Sequence, residues 1–240
     1  MRGRAPSKSL SGEAYNNVRQ RILRGELKLG QVISRRTLAA EMGMSFLPVS
    51  EALLRLEVEG LLESRPRAGT RVRIPTPRDV EGHFVVREAL ETQAARLFAL
   101  KASPAEKAAL VKLAVQLDNM AARPENDRSE YLTRHERLHR KIAEYTRCQA
   151  LADAIEQTHA LASTWMCVGS GQHMPRRHQT LLEALAGGDT EAAAEAMREH
   201  VRSSQQEALR RLSPYFKLQK TRGVRYTRSA KRQPHVVLGS

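Results

Sequence analysis

The stretch Ser34–Gly60, SRRTLAAEMGMSFLPVSEALLRLEVEG, constrains this chain more than any other. Leu38, Ala39 and Met42 lie three and four apart. After a break at Gly43-Met44-Ser45, Val49, Ala52, Leu53 and Leu56 repeat the spacing. Residues so spaced share one helix face, which predicts two short helices with one apolar stripe each. Ser34 and Ser45 stand where N-caps belong, and Gly43 where a left-handed residue ends a helix. Helices this short bury too little to stand alone and must cross a third at a steep angle. Such a corner either simply packs or lays its second helix in the major groove of DNA.

The next residues favour DNA. Leu61–Ser64 is a short apolar start, Arg65-Pro66-Arg67-Ala68-Gly69 a turn, and Thr70–Ile74 alternates polar with apolar. That is a two-stranded hairpin carrying Arg65, Arg67, Arg71 and Arg73. No carboxylate lies between Ser64 and Arg78, so nothing local is expected to neutralise them. A helix-turn-helix followed by a basic hairpin is a winged helix. The formal charge of +14 is distributed accordingly. Residues 1–78 hold fifteen Lys and Arg against seven Asp and Glu, residues 79–212 eighteen against nineteen, and residues 213–240 seven against none. Excess cations in the N-terminal part are what a nucleic-acid surface needs, whereas the middle of the chain requires no polyanion.

Tyr15-x2-Val18-x3-Ile22, Gly25, Leu29-Gly30, Leu38-Ala39, Gly43-Met44-Ser45, Pro48-Val49, Glu51-Ala52-Leu53, Leu56, Glu59-Gly60-Leu61 and Gly69-Thr70-Arg71-Val72 together resemble the winged-helix domain of the GntR family of bacterial transcription regulators, over residues 10–75. The resemblance implies a homodimer on a palindromic double-stranded operator. It implies a DNA surface of Arg35, Arg36, Ser45, Phe46, Leu47, Pro48, Ser50, Arg55, Arg67, Gly69, Thr70 and Arg71. One departure matters. The family pattern S-R-x-P-V-R-E-A-L is S-F-L-P-V-S-E-A-L here, so Phe46 and Ser50 replace two arginines that would read guanine. Phe46 either touches a thymine methyl or packs.

A length of 240 residues suits two domains of ordinary size. Residues 1–9 read as a flexible basic N-terminus, with Ser11 capping a helix to about Arg24. Pro75-Thr76-Pro77-Arg78 reads as a stiff boundary, with residues 76–78 as the linker. Every later segment reads as helix: Asp79–Leu100, Ser103-Pro104-Ala105-Glu106 as a capping box opening a helix to Ala121, then Arg128–Tyr145, Cys148–Gly169, Pro175–Ala186 and Thr190–Leu212. Ala122–Asp127 reads as a loop. The fold class is therefore mainly α: a winged helix-turn-helix with a two-stranded wing, followed by an all-α antiparallel bundle over residues 79–212. Residues 213–240 read as a basic, disordered tail. Cys148 and Cys167 lack C-x-x-C spacing and read as idle thiols. With no apolar run of membrane length and no signal-peptide core, a cytoplasmic protein with no membrane association is expected.

Four of the eight histidines carry the chemistry of the second domain. His135 and His139 are four apart on one helix. His178 lies eleven residues before Asp189 and His200 eleven after it, so an antiparallel turn at Gly187-Gly188-Asp189 sets them at one height. Four converging imidazoles suit a divalent transition metal such as Zn2+ or Ni2+. The same spacing also describes histidines that merely pack in a core. Here a second resemblance enters: Val86-Arg87-x2-Leu90-Glu91-x2-Ala94-Ala95-x-Leu97, Leu138-His139-x2-Ile142, and His178 through Val201 resemble the FCD effector domain. Its metal-binding members use Asp, His, His, His, and the last three match His139, His178 and His200. His135 stands at the Asp position, and Cys148 stands where Asn is usual. The resemblance implies a small carboxylate effector beside the metal. Arg87 is the first candidate to pair with it, unless Arg87 only pairs with Glu91; Arg134 and His173 are further candidates. The expected function is a ligand-responsive transcription regulator, a repressor, and not an enzyme. The alternatives are a constitutive DNA-binder with an effector-free bundle, or a metal-dependent hydrolase, which would lack an acidic base beside the histidines and an open metal position.

Overall fold

The computed structural model describes residues 9–66, 68–122, 128–167 and 177–221. Within them, α1 (Leu10–Leu23), α2 (Arg35–Met42) and α3 (Phe46–Val58) form the N-terminal helices. Ser9, not Ser11, caps α1, its Oγ accepting from the Gly12 N–H at 3.1 Å. Ser34 caps α2 through the Thr37 N–H, and Gly43 ends it at φ 62°, a left-handed conformation that suits glycine. Ser45 occupies the N-cap of α3 without a side-chain cap bond.

The wing has three strands rather than two. β1 (Val32–Ile33), β2 (Leu62–Arg65) and β3 (Gly69–Val72) order as β1-β3-β2, with Val32 opposite Arg71 and Leu62 opposite Val72. Two residues are too short a run to leave an alternating pattern, so β1 is visible only through its pairing. Nor are the wing arginines unneutralised among the described residues. Arg71 Nε lies 2.5 Å from Glu63, Arg65 3.6 Å from Glu63, and Arg73 3.0 Å from Asp79. Those carboxylates flank the carboxylate-free window in sequence and fold back over it. Ala14, Val18, Val49, Leu53, Leu56, Leu62 and Val72 close the core beneath.

Thr76 and Asp79 form a capping box with Pro77 in the first turn of α4 (Pro77–Lys101), so the segment read as a linker already belongs to a helix start. There follow α5 (Pro104–Ala121), opened by the Ser103–Glu106 capping box, α6 (Arg128–Glu144), α7 (Gln149–Cys167), α8 (His178–Ala186) and α9 (Thr190–Thr221). The stretch 123–127 lies outside the described residues. Phe84, Phe98, Leu117, Leu138, Ile142, Ile155 and Leu182 fill the bundle core, and α4 packs most extensively on α9. α9 runs nine residues past the expected end at Leu212. Pro214 forfeits one backbone bond, to Arg210, but stands on the exposed side, and Phe216 packs against the bundle. Residues 222–240 of the expected tail lie outside the described residues. The two parts touch where α1 meets α6 and α7: Arg19 pairs with Glu136 of α6, and Leu161 of α7 packs against both cores.

Candidate DNA surface and histidine chamber

The residues expected to form the DNA surface fall on α2, α3 and the wing. Arg36 is exposed and has no partner among the described residues. Arg35 reaches Thr70 Oγ1 at 3.4 Å. Thr70 is itself buried against Ser64 Oγ at 2.9 Å, so it braces the wing from within, while Gly69 is exposed at φ 76°. On α3, Ser45, Phe46 and Leu47 are exposed, and Pro48 and Ser50 are half-buried. Arg55 turns away from the N-terminal end, with Nε 3.0 Å from Glu59 and its guanidinium 4.0 Å from the Tyr15 ring centre. Arg67 lies outside the described residues.

In the helical domain the four histidines meet although they come from three helices. His139 Nε2 is 3.2 Å from His135 Nε2 and 3.3 Å from His200 Nε2. The His178 ring centre is 5.0 Å from that of His135 and 5.1 Å from that of His200. The heights of His178 and His200 match because α8 and α9 pack as an antiparallel pair about the turn at residues 187–189.

Two carboxylates set the imidazoles' orientation, and neither belongs to the histidine pattern. Asp118 on α5 accepts from His178 Nδ1 at 2.8 Å and from the Gln179 N–H at 3.0 Å. Glu91 on α4 lies 2.6 Å from His139 Nδ1, 3.2 Å from His159 Nε2 and 2.7 Å from Arg87 Nε. With its Nδ1–H donated to Asp118, His178 carries its lone pair on Nε2, while His139 Nδ1 faces Glu91 at ion-pair distance. Burial, reinforced by the neighbouring imidazoles, holds His135 and His200 well below the ordinary histidine range. Burial also lowers His139 to about 4 against the opposing pull of Glu91. These rings are neutral at pH 7, as ligation requires. Burial would raise Glu91, but Arg87 first, then His139 and His159, hold it well below the carboxylate range.

The donor set fits a borderline divalent ion. Nε2 of His178 is buried without a hydrogen-bond partner, as is Nδ1 of His200. Nitrogens of His135, His178 and His200 lie within 4.8 Å of one another. Glu91, His139 and His159 form a second close group, yet the Arg87 guanidinium already occupies the place a cation would take beside Glu91. The chamber between these groups has a volume of about 20 Å³ and is lined by Arg87, Tyr131, His135, His159, His178, His200 and Ser204 among others.

Arg87 is 2 % exposed, and its Nη2 is buried without a partner. It therefore makes the Glu91 pair and still presents a donor. Arg134 pairs with Glu130 at 2.6 Å, half-exposed and away from the chamber. His173 lies outside the described residues. Sequence reasoning missed His159 and Asp118 and assigned no site role to Glu91. Their signal was a polar residue on an apolar stripe: Glu91 beside Ala94 and Ala95, Asp118 beside Ala114 and Ala121, His159 between Ile155 and Ala162. An acidic group beside the histidines, absent from the sequence reading, is therefore present, but both carboxylates are engaged in holding rings.

A winged helix with a cationic rim, joined to a helical domain around a histidine chamber, defines a two-domain DNA-binding regulator. Residues 10–72 match the pattern described as bacterial regulatory proteins, gntR family, and residues 83–203 match the FCD domain. The chain belongs to the GntR family of transcriptional regulators, in its FCD branch. It is 30% identical over 184 residues, 75% of this chain and 80% of the relative, to the "Probable D-xylose utilization operon transcriptional repressor" of Paenarthrobacter nicotinovorans. It is 23% identical to the HTH-type transcriptional repressor RspR of Escherichia coli, over 82% of this chain and 87% of that one. The same fold is seen in a putative GntR regulator from Rhodococcus sp. RHA1 (TM-score 0.68, 20% identity, 83% of this chain and 97% of that one). It is seen again in E. coli McbR/YncC (TM-score 0.67, 22% identity, 87% and 99%). Among the described residues no helix is long and apolar enough to cross a membrane.

Proposed function

We propose that this regulator is a ligand-responsive repressor whose helical domain binds one divalent transition metal and, beside it, a small organic acid. The observation that carries the reading is the convergence of His135, His139 and His200 Nε2 within 3.3 Å steps, with His139 and His178 oriented by buried carboxylates. Zn2+ or Ni2+ would be held by His135, His139, His178 and His200. With all four ligands neutral the ion's full charge faces the chamber, where it would attract an anion.

Arg87 Nη2 would donate to the acid's carboxylate, a charge-assisted bond in a dry setting. A chamber of about 20 Å³ accommodates an ion but not an organic acid. An acid would enter only if helices of the bundle shift, and a shift of α7 would reach α1 through the contact of those two helices. That is a physical route from effector to DNA-binding domain. Exposed Val85 and Val86 on α4 offer apolar surface to a second copy, consistent with a homodimer on a palindromic operator.

The test is elemental analysis of tag-free protein, with His139→Ala and His200→Ala alongside, followed by DNA binding with and without small carboxylates. One metal per chain, lost in both variants, is the expected result. Wild type that takes up no Zn2+ or Ni2+, or variants at full stoichiometry, would return the histidines to a packing role.

A further inference from the structure

A recognition helix reads guanine with free cations, and α3 has none to offer. Its sequence FLPVSEALLRLEV contains one, Arg55, which is held by Glu59 and the face of Tyr15. Ser50, at the second family arginine position, has its Oγ buried. What the first turn presents is apolar: Phe46 is 53% and Leu47 66% exposed, and neither packs against the N-terminal core. The alternative that Phe46 simply packs is thereby set aside. The same domain carries Arg36, exposed and without a partner among the described residues, a group that seats a phosphate backbone rather than an apolar partner.

The major-groove edge of DNA carries one apolar group, the thymine 5-methyl. Pressed against polar base edges, Phe46 and Leu47 would strip those edges of water and return no hydrogen bond. Pressed against methyl groups they bury apolar surface on both sides. We propose that Phe46 and Leu47 read thymine methyls, so that each operator half-site carries A·T pairs opposite the first turn of α3, where an arginine at position 46 would select guanine. The inference rests on the winged helix binding DNA in the groove, and it concerns only how the bases are read.

The experiment selects duplexes from a random pool with the full-length protein. It then replaces single thymines by deoxyuridine, which keeps every hydrogen-bonding group and lacks only the methyl. Burial of one methyl predicts about a fourfold loss of affinity at each contacted thymine. Phe46→Ala should abolish the difference at one thymine and Leu47→Ala at a neighbouring one. Both residues are exposed, so thermal melting of the variants should match wild type. Arg36→Ala should weaken thymine and uracil duplexes alike. Phe46→Arg should shift the selected sequence toward guanine. Specific binding that is indifferent to every uracil substitution, or variants that keep the full thymine preference, would overturn methyl reading while leaving DNA binding intact. A pool that yields no preferred sequence would overturn methyl reading together with sequence-specific binding.

Discussion

Glu91→Gln is the substitution to which the helical domain should respond most sharply. The Glu91 carboxylate is 1% exposed and faces Arg87 Nε at 2.7 Å, His139 Nδ1 at 2.6 Å and His159 Nε2 at 3.2 Å. Glutamine keeps the shape and removes the charge. Arg87, 2% exposed and stacked over Phe84 at 5.0 Å, would then be a buried cation without a counter-ion. Removing one partner of such a pair costs about 3–5 kcal/mol. Against a total stability of about 5–15 kcal/mol for a domain, that is a large share. For a helical domain of this size it corresponds to a fall in melting temperature of roughly 10–15 °C. Glu91→Leu combined with Arg87→Met should recover most of the loss, because removing both charges leaves neither unpaired. The sign of the pH effect follows from the lowered Glu91 pKa: its stabilisation is present above the ordinary carboxylate range and is lost as pH falls through the folded value. Urea denaturation of wild type, Glu91→Gln and the double variant at pH 7 reads these energies directly. A single variant as stable as wild type, or a double variant no more stable than the single, would refute the assignment of Glu91 as the charge that keeps Arg87 buried.

Two further outcomes are expected. Truncation after Thr221 leaves α9 whole and removes five cations and no anion, so it should flatten the dependence of log affinity for DNA on log salt; an unchanged slope would show the tail takes no part. His83, whose Nε2 lies 2.8 Å from the Thr158 carbonyl, is lowered to about 4, chiefly by burial and with that hydrogen bond opposing. The folded protein thus excludes a proton that the unfolded chain binds. Stability should be intact above pH 6.5 and fall by up to about 3 kcal/mol toward pH 4. His83→Gln should flatten that limb of the curve, and an identical limb in the variant would assign it to other groups.

What the sequence determined alone were features that rest on local physics. The stripe Val49, Ala52, Leu53, Leu56, the left-handed Gly43 and the capping box at Ser103 each follow from contacts within four residues, and each stands in the structure where the spacing puts it. The meeting of His178 and His200 also followed, because one short turn relates them. The third strand of the wing, the salt bridges that cover its arginines and the run of α9 past Pro214 were beyond reach. The strand depends on a partner distant in sequence, the salt bridges on how the chain folds back over the wing, and the helix on packing beyond the proline. The same holds for Glu91, Asp118 and His159: each was visible as a polar residue on an apolar stripe, but a stripe does not say what it faces. Only the packing of α4, α5 and α7 around the histidines decided that these side chains orient imidazoles. Charge buried in a core is tolerable only where several elements bring its partners together, and that is a property of the tertiary fold.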